Sequence, residues 1–383
     1  MKYRDPLYGE WELPPVIKEL VQSRAMDRYR KITMSLLPNS MEPLGTIPSR
    51  FHHGMGVCFL AQVVVGNSIS WPEAVFDPLV LLVASLLHDI GNPSFPHLSE
   101  PFLIEFWGKN GETFAADIIA GTDIPEILEK YDIPIENVLD FIAGTLRPYS
   151  DVLNGSLDLD NLDTLRYDYF AKLGGIDYDP VKIAGSFRFK NNRWVLDKKC
   201  QSNVAAWKMN RGMVYRKIYS SQHLSVVSMV HRALELAFLK GELNHDFFFL
   251  NDEEAVNFLR TKCNPKTAKL MDMATRWQWY DLAYDYQTTN PNQWLIKAST
   301  GWRSRRALAD AICLDLHLLR ENVCVYIDRG RDTRRIKIPF SDGKNLVFDD
   351  EVEIPIYRIK VFMDPSIGYT RNDIKEIIDD LIN

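Results

Sequence analysis

The pattern of apolar and polar positions divides the chain into two kinds of segment. From Val16 to about Leu173, apolar residues recur at helical spacing, as in VIKELVQ, GVCFLAQVVV and EPFLIEFW. This predicts a run of amphipathic helices. Residues 204–240 return to that period, with Val226, Val227, Val230, Leu234 and Phe238 on one face, and helices are expected to about residue 290. Elsewhere the period falls to two. Trp11 and Leu13 alternate with Glu10 and Glu12 beside Gly9, and Pro14-Pro15 follows, so residues 1–14 read as a short extended or hairpin segment. Phe187 and Phe189 alternate with Arg188 and Lys190 up to Asn191-Asn192, a β-hairpin signal. Towards the end, VCVYIDRGRDTRRIKIPF reads as two strands around Gly330, IYRIKVFM as a strand and NDIKEIIDDLIN as a helix. The expected fold is mainly α: an all-helical core with short β-hairpins over residues 1–300, then a small α+β C-terminal lobe over 301–383.

Composition narrows the class. With 46% hydrophobic and 25% charged residues, a mainly disordered or collagen-like chain is excluded. The longest apolar run, Leu79 to Leu87, is too short to span a bilayer. MKYRDPLYGEWEL lacks the apolar stretch of a secretory signal. Five cysteines stand singly with no CxxC, which argues for a reducing compartment and against a thiolate zinc site. The expectation is a cytoplasmic protein with no membrane partner. A net charge of −6 gives no global attraction to nucleic acid. The basic clusters Arg303 to Arg306 and Arg329 to Lys337 are read as solvated strands and turns. Phosphate or nucleic-acid binding is the alternative, and base-stacking aromatics are absent there.

The chemistry concentrates in a few residues. No phosphate loop, GxGxxG, HExxH or GxSxG is present. Of eight histidines, four fall between Arg50 and His97. The strongest unit is LLHDIG, where His88 and Asp89 follow an apolar helix. A lone pair of this kind reads first as a satisfied core histidine beside a helix-end aspartate. A divalent metal would satisfy both groups at once, with His53 in SRFHHGMGV and Asp160 in LDLDNLD as further ligands.

RFHHGMGV, LLHDIG with a later FPH, and LDLDNLDTLRYDYF resemble the HD-superfamily phosphohydrolases. Among these the closest look is to the deoxynucleoside triphosphate triphosphohydrolases, without the SAM domain that the vertebrate enzyme carries. DPLYGEWELPP and RGMVYRKIYSSQ resemble further segments of that family. The resemblance covers roughly residues 3–240 well and the remainder faintly.

It implies an HD-domain core whose metal ligands are His53, His88, Asp89 and Asp160. They would hold manganese, iron, zinc, cobalt or nickel, sometimes with magnesium beside it. Arg50 matches an arginine that holds a phosphate, and Asp89 could also orient the attacking water. His97 matches the histidine that protonates the leaving oxygen. Glu100 stands behind it, on the same helix face at i, i+3 if the segment is helical. Arg211 matches a phosphate-binding arginine, and Asp168 and Tyr219 match positions that frame the sugar. Asn92 stands where the family has a second histidine; it can still donate a hydrogen bond to phosphate. Asn110 or Gly111 replaces another histidine. Asn161 and Thr164 replace a lysine and a tyrosine, and Met34 replaces a glutamine.

The implied activity is that of a metal-dependent nucleotide phosphohydrolase. Water attacks the α-phosphorus and releases nucleoside and tripolyphosphate, with altered specificity. The lost contacts favour fewer phosphates or a modified nucleotide, unless cations from a neighbouring subunit compensate. An HD-family nucleotidase or phosphodiesterase, or a weakly catalytic nucleotide- or nucleic-acid-binding sensor, is the alternative. The resemblance also implies a homo-oligomer, dimer or tetramer. GTP control is not expected: Arg30 is kept, whereas Gln22 and Asp27 depart from the family's guanine-reading residues.

Overall fold

Asp77 accepts a hydrogen bond from the amide of Leu79, and Pro78 occupies the first helical turn. With that start, the apolar run forms the helix Pro78–Leu87, which is buried from Val80 onward. It packs against the helix Arg50–Gly66, and glycines decide how closely. A Cβ on Gly54 would sit 2.5 Å from the carbonyl oxygen of Leu86 and 2.8 Å from the Tyr29 hydroxyl. A Cβ on Gly56 would overlap Asp163 Oδ1 and Arg166 Nη2. The HHGMG stretch therefore lets two helices and a buried ion pair press on one surface. In this computed structural model, residues 2–67, 77–163, 165–172, 174, 177–331, 334–349, 352–369 and 371–382 are described; Thr164 lies outside them.

The architecture is mainly α with small sheets. Helices from Pro15 to Thr275 enclose one large apolar core. At its centre lies the helix Ser221–Leu239, buried almost all round, not on one face alone. The N-terminal hairpin pairs Lys2–Asp5 with Gly9–Glu12. The hairpin Phe187–Lys190 with Arg193–Asp197 forms about Asn191 and Asn192, whose φ values are +51° and +58°. Asparagine tolerates that left-handed backbone better than most residues.

The C-terminal lobe is built on a three-stranded antiparallel sheet. Tyr357–Met363 lies at its centre, between Asp281–Thr288 and Val323–Arg329. Two sequence expectations change here. The helical stretch expected to reach about residue 290 gives way to the strand Asp281–Thr288, which joins the lobe sheet from before the expected boundary near 300. Nor do two strands pair around Gly330. Val323–Arg329 pairs with Tyr357–Met363 instead, and residues 334–339 lie without regular structure against the helical body. The reason is burial: Ile336, Ile338 and Phe340 alternate into the main core, at 2%, 7% and 6% exposure. Phe340–Ser341 then pairs in parallel with Leu196–Asp197. Among the described residues, no helix is long and apolar enough to cross a membrane.

Gly56→Ala tests the close approach. Alanine ordinarily favours a helix over glycine by roughly 1 kcal/mol, but here the methyl group meets the Asp163–Arg166 pair. Net destabilisation of about 1–3 kcal/mol is expected in urea unfolding. A variant as stable as the parent would show that the pair does not lie against this helix.

Candidate metal and phosphate site

Each of the family-like residues has a local reason for its place. Arg50 and His53 lie in the first turn of the helix Arg50–Gly66. His88 and Asp89 follow the last turn of Pro78–Leu87, and Asp160 sits in the short helix Leu159–Leu162, capped by Asp158. Because the two long helices pack closely, these ends converge. Ligand atoms of His53, His88 and Asp89 all lie within 4.8 Å of one another. Asp160 Oδ1 is 2.9 Å from His53 Nε2 and 3.8 Å from His88 Nε2.

The donor set fits a divalent cation. His88 Nδ1 lies 2.9 Å from the carbonyl oxygen of Ser85, so that nitrogen carries the proton. Its Nε2 then offers a lone pair, is buried, and has no hydrogen-bond partner. His53 is oriented the same way: its Nδ1 lies 2.7 Å from Asp163 Oδ2. An outer carboxylate or carbonyl on one ring nitrogen, with the other turned to a shared point, is the arrangement of metal-ligating histidines. Burial works against a proton on His53, yet hydrogen bonds to Asp160 and Asp163 win and raise it to about 10. Burial likewise opposes the Asp89 carboxylate, but Arg50 first, then His88 and His53, hold it down to about 2. Two imidazoles and two carboxylates thus collect around a point suited to positive charge.

Behind the ligands lies a buried charge network. Asp163, with a fully buried side chain, accepts from His53, from Arg166 Nε at 2.8 Å and from the Tyr8 hydroxyl at 2.6 Å. Arg166 in turn donates to Asp5 at 2.9 Å. Arg28 supports the other ligand loop, donating to the carbonyl oxygens of Ile90 and Asn92 at 3.2 and 2.8 Å. The reading of the sequence had not singled out these residues. Asp163 carried a signal, as the third aspartate of LDLDNLD. Asp5 and Tyr8 lie in DPLYGEWELPP, whose resemblance to the family gave no role to either, and Arg28 carried no signal.

Of the ligand candidates, Asp160 lies on the wall of a cleft of about 1820 Å³. Arg50, His97, Glu100, Asp160, Arg211 and Tyr219 all line it. Arg50 is buried, pairs through Nη1 with Asp89, and has an unpartnered Nε. His97 differs from the expected helical pairing. It lies in the turn before the helix Glu100–Trp107, with φ +61°. It still meets Glu100 at 3.5 Å, because the turn bends the half-exposed ring back over the first helical residue. Glu100 also accepts from the Gly111 amide at 3.0 Å, and its carboxyl lies below its usual range, through His97 first.

Asn92 and Asp168 are placed otherwise than expected. Neither is among the cleft-lining residues. Asn92 donates to Asp89 Oδ1 at 2.5 Å, so it orients a ligand. Asp168 is buried and accepts from Asn210 at 3.3 Å. Tyr219 accepts from the Arg331 amide at 2.8 Å, and its ring packs on the Arg358 guanidinium.

The basic clusters divide. Arg303 is exposed and pairs with Glu105, as a solvated face would, but Arg305 of the same cluster donates to His231 at 2.8 Å and lines the cleft. Arg331, Arg334, Arg335 and Lys337 line the cleft as well, the last three beside the buried Ile336 and Ile338.

No family model matches the chain. The uncharacterized protein YwfO of Bacillus subtilis is 23% identical over 76% of this chain and 72% of its own. A putative HD domain-containing protein of Acanthamoeba polyphaga mimivirus is 22% identical over 68% and 64%. The chicken deoxynucleoside triphosphate triphosphohydrolase SAMHD1 is 26% identical over 37% of this chain and 25% of that protein. Among solved structures, a hypothetical protein from Aquifex aeolicus superposes with a TM-score of 0.74 at 19% identity, covering 99% of both chains. A phosphohydrolase from Bacteroides thetaiotaomicron gives 0.70 at 16%, covering 95% of this chain and 99% of that one. The structural likenesses establish the shared fold. The His53–His88–Asp89 cluster could hold a divalent metal.

Metal analysis after dialysis tests the cluster. The parent is expected to retain bound transition metal and His88→Ala to lose it. Asp163→Asn should weaken manganese binding about 10- to 100-fold by loosening His53. Equal metal content in His88→Ala would remove that residue from the ligand set.

Proposed function

We propose that the chain is a nucleotide phosphohydrolase of the deoxynucleoside triphosphate triphosphohydrolase type, acting at the α-phosphorus and releasing nucleoside and tripolyphosphate, with specificity of its own. One observation carries this reading. The ligand candidate Asp160, which meets the His53–His88–Asp89 cluster through His53, borders the same arginine-rich cleft as the Arg50 guanidinium and the His97–Glu100 pair.

His53, His88, Asp89 and Asp160 would hold the cation. When bound, it supplies a Lewis acid that polarises a phosphoryl oxygen and makes water a better nucleophile at neutral pH. The chain's own groups do the rest. Arg50, fixed by Asp89, turns its remaining N–H groups to a phosphoryl oxygen, where a planar guanidinium adds charge and orientation. Asp89, itself held by Asn92, orients the attacking water. His97 is the exposed proton donor, held by Glu100, and gives its proton to the departing oxygen. Manganese is the metal of first choice for assay, and the working assembly is a homo-oligomer.

Product analysis by anion-exchange chromatography tests this. The protein is incubated with manganese and ribo- and deoxynucleotides carrying one to three phosphates, with Asp160→Ala as control. Nucleoside plus tripolyphosphate, absent from the control, is the expected result. Orthophosphate from mono- or diphosphates would instead make this a nucleotidase on the same scaffold. Absence of any product would sink the enzyme reading.

His97→Ala separates proton donation from metal binding. It should keep the metal content of the parent and lose about 10²- to 10⁴-fold in kcat. Unchanged turnover would remove His97 from the reaction.

A further inference from the structure

Two guanidinium groups meet on one neutral oxygen in the cleft. Asn161 Oδ1 accepts from Arg211 Nη1 at 3.2 Å and from Arg334 Nη1 at 2.8 Å. Arg211 is only 6% exposed. Its other contacts are the Tyr215 hydroxyl at 3.3 Å and the Tyr215 ring, and its buried Nε has no hydrogen-bond partner. Arg334 gives its second contact to the Gly155 carbonyl oxygen at 2.8 Å. The carboxylate that approaches it, Asp158, is 4.0 Å away and is engaged in capping through Asn161. Among the described residues no carboxylate lies between the two arginines. Like charges this close repel, and a buried guanidinium with an open N–H is costly unless an anion fills the place.

The location gives that anion a role. Asn161 directly follows the ligand candidate Asp160, and both arginines line the cleft that Asp160 borders. They also come from different parts of the chain. Arg211 projects from the helix Gln201–Ile218 of the core. Arg334 comes from the irregular stretch that follows the lobe strand Val323–Arg329.

We infer that Arg211 and Arg334 form an anion clamp for a second phosphate group of the substrate, beside the one that reacts at the metal cluster. This rests on the phosphohydrolase reading and names its substrate class: a nucleotide carrying at least one phosphate beyond the reacting one. The lobe therefore completes the substrate site. The positive charge lost where Asn161 stands is returned from within the same chain, without a neighbouring subunit. A guanidinium suits the task, since it binds phosphate oxygens in pairs.

The test is calorimetric titration of inorganic tripolyphosphate into the purified protein, with Arg334→Gln, Arg334→Lys and Asn161→Asp as variants. Asn161→Asp keeps both arginines and places an internal carboxylate between them, so it covers the case in which Arg334→Gln folds poorly. The parent is expected to bind. Arg334→Gln and Asn161→Asp should bind about ten- to a hundredfold more weakly, the loss of a charged hydrogen-bonding partner. Arg334→Lys should fall between. KM for nucleoside triphosphates should rise with the same ranking while KM for monophosphates stays near the parent's. No binding by the parent, or equal binding by Arg334→Gln and Asn161→Asp, would overturn the clamp even if nucleotides are hydrolysed. Weakened binding in a protein that hydrolyses no nucleotide would uphold the clamp and overturn the phosphohydrolase reading instead.

Discussion

The Asp163 carboxylate is the point on which the site depends. It is fully buried between the His53 imidazole and the Arg166 guanidinium, and a buried charge persists only when its partners are all in place. Asp163 therefore demands Arg166, Arg166 demands Asp5, and the Tyr8 hydroxyl fills the remaining acceptor position. Removing one partner from such a set costs roughly 3–5 kcal/mol. The N-terminal hairpin is thereby tied to a ligand candidate more than forty positions away. Gly56 is part of the same constraint, since any side chain there would occupy the space of the pair.

From that network the site follows outward. His53 is oriented by Asp163, and His88 by the carbonyl of its own helix. Both present their second nitrogen to one point, which Asp89 and Asp160 border. Arg50 neutralises Asp89 on the far side. The design separates two tasks. Groups deep in the core fix the geometry of the ligands. Groups at the cleft surface, His97 and the arginines, meet solvent and substrate.

The lobe has a place in this arrangement that its small sheet does not suggest. Its strand Val323–Arg329 ends where the chain must return to the core, and three apolar residues anchor that return. Two residues before the first of them, Arg334 lines the cleft and meets Asn161. A local substitution in the core and a distant basic segment are thus brought into one contact. Asn92 shows the converse: a position expected to face substrate is drawn back to hold Asp89.

Much was determined by the sequence alone. The helical period, the two hairpins and the strand Tyr357–Met363 are local signals, carried by spacing and by turn residues such as Asn191-Asn192. His53, His88, Asp89 and Asp160 were legible because their motifs are short and their order distinctive. The rest was decided in three dimensions. Nothing local says that Ile336 and Ile338 prefer the main core to a hairpin with Val323–Arg329, since alternation looks the same in either place. Nothing local pairs Tyr8 with Asp163 or Arg334 with Asn161, because those contacts exist only once burial has set which segments cross. Sequence spacing reports which faces a segment can bury; the tertiary structure selects the partner, and with it which charges share the cleft.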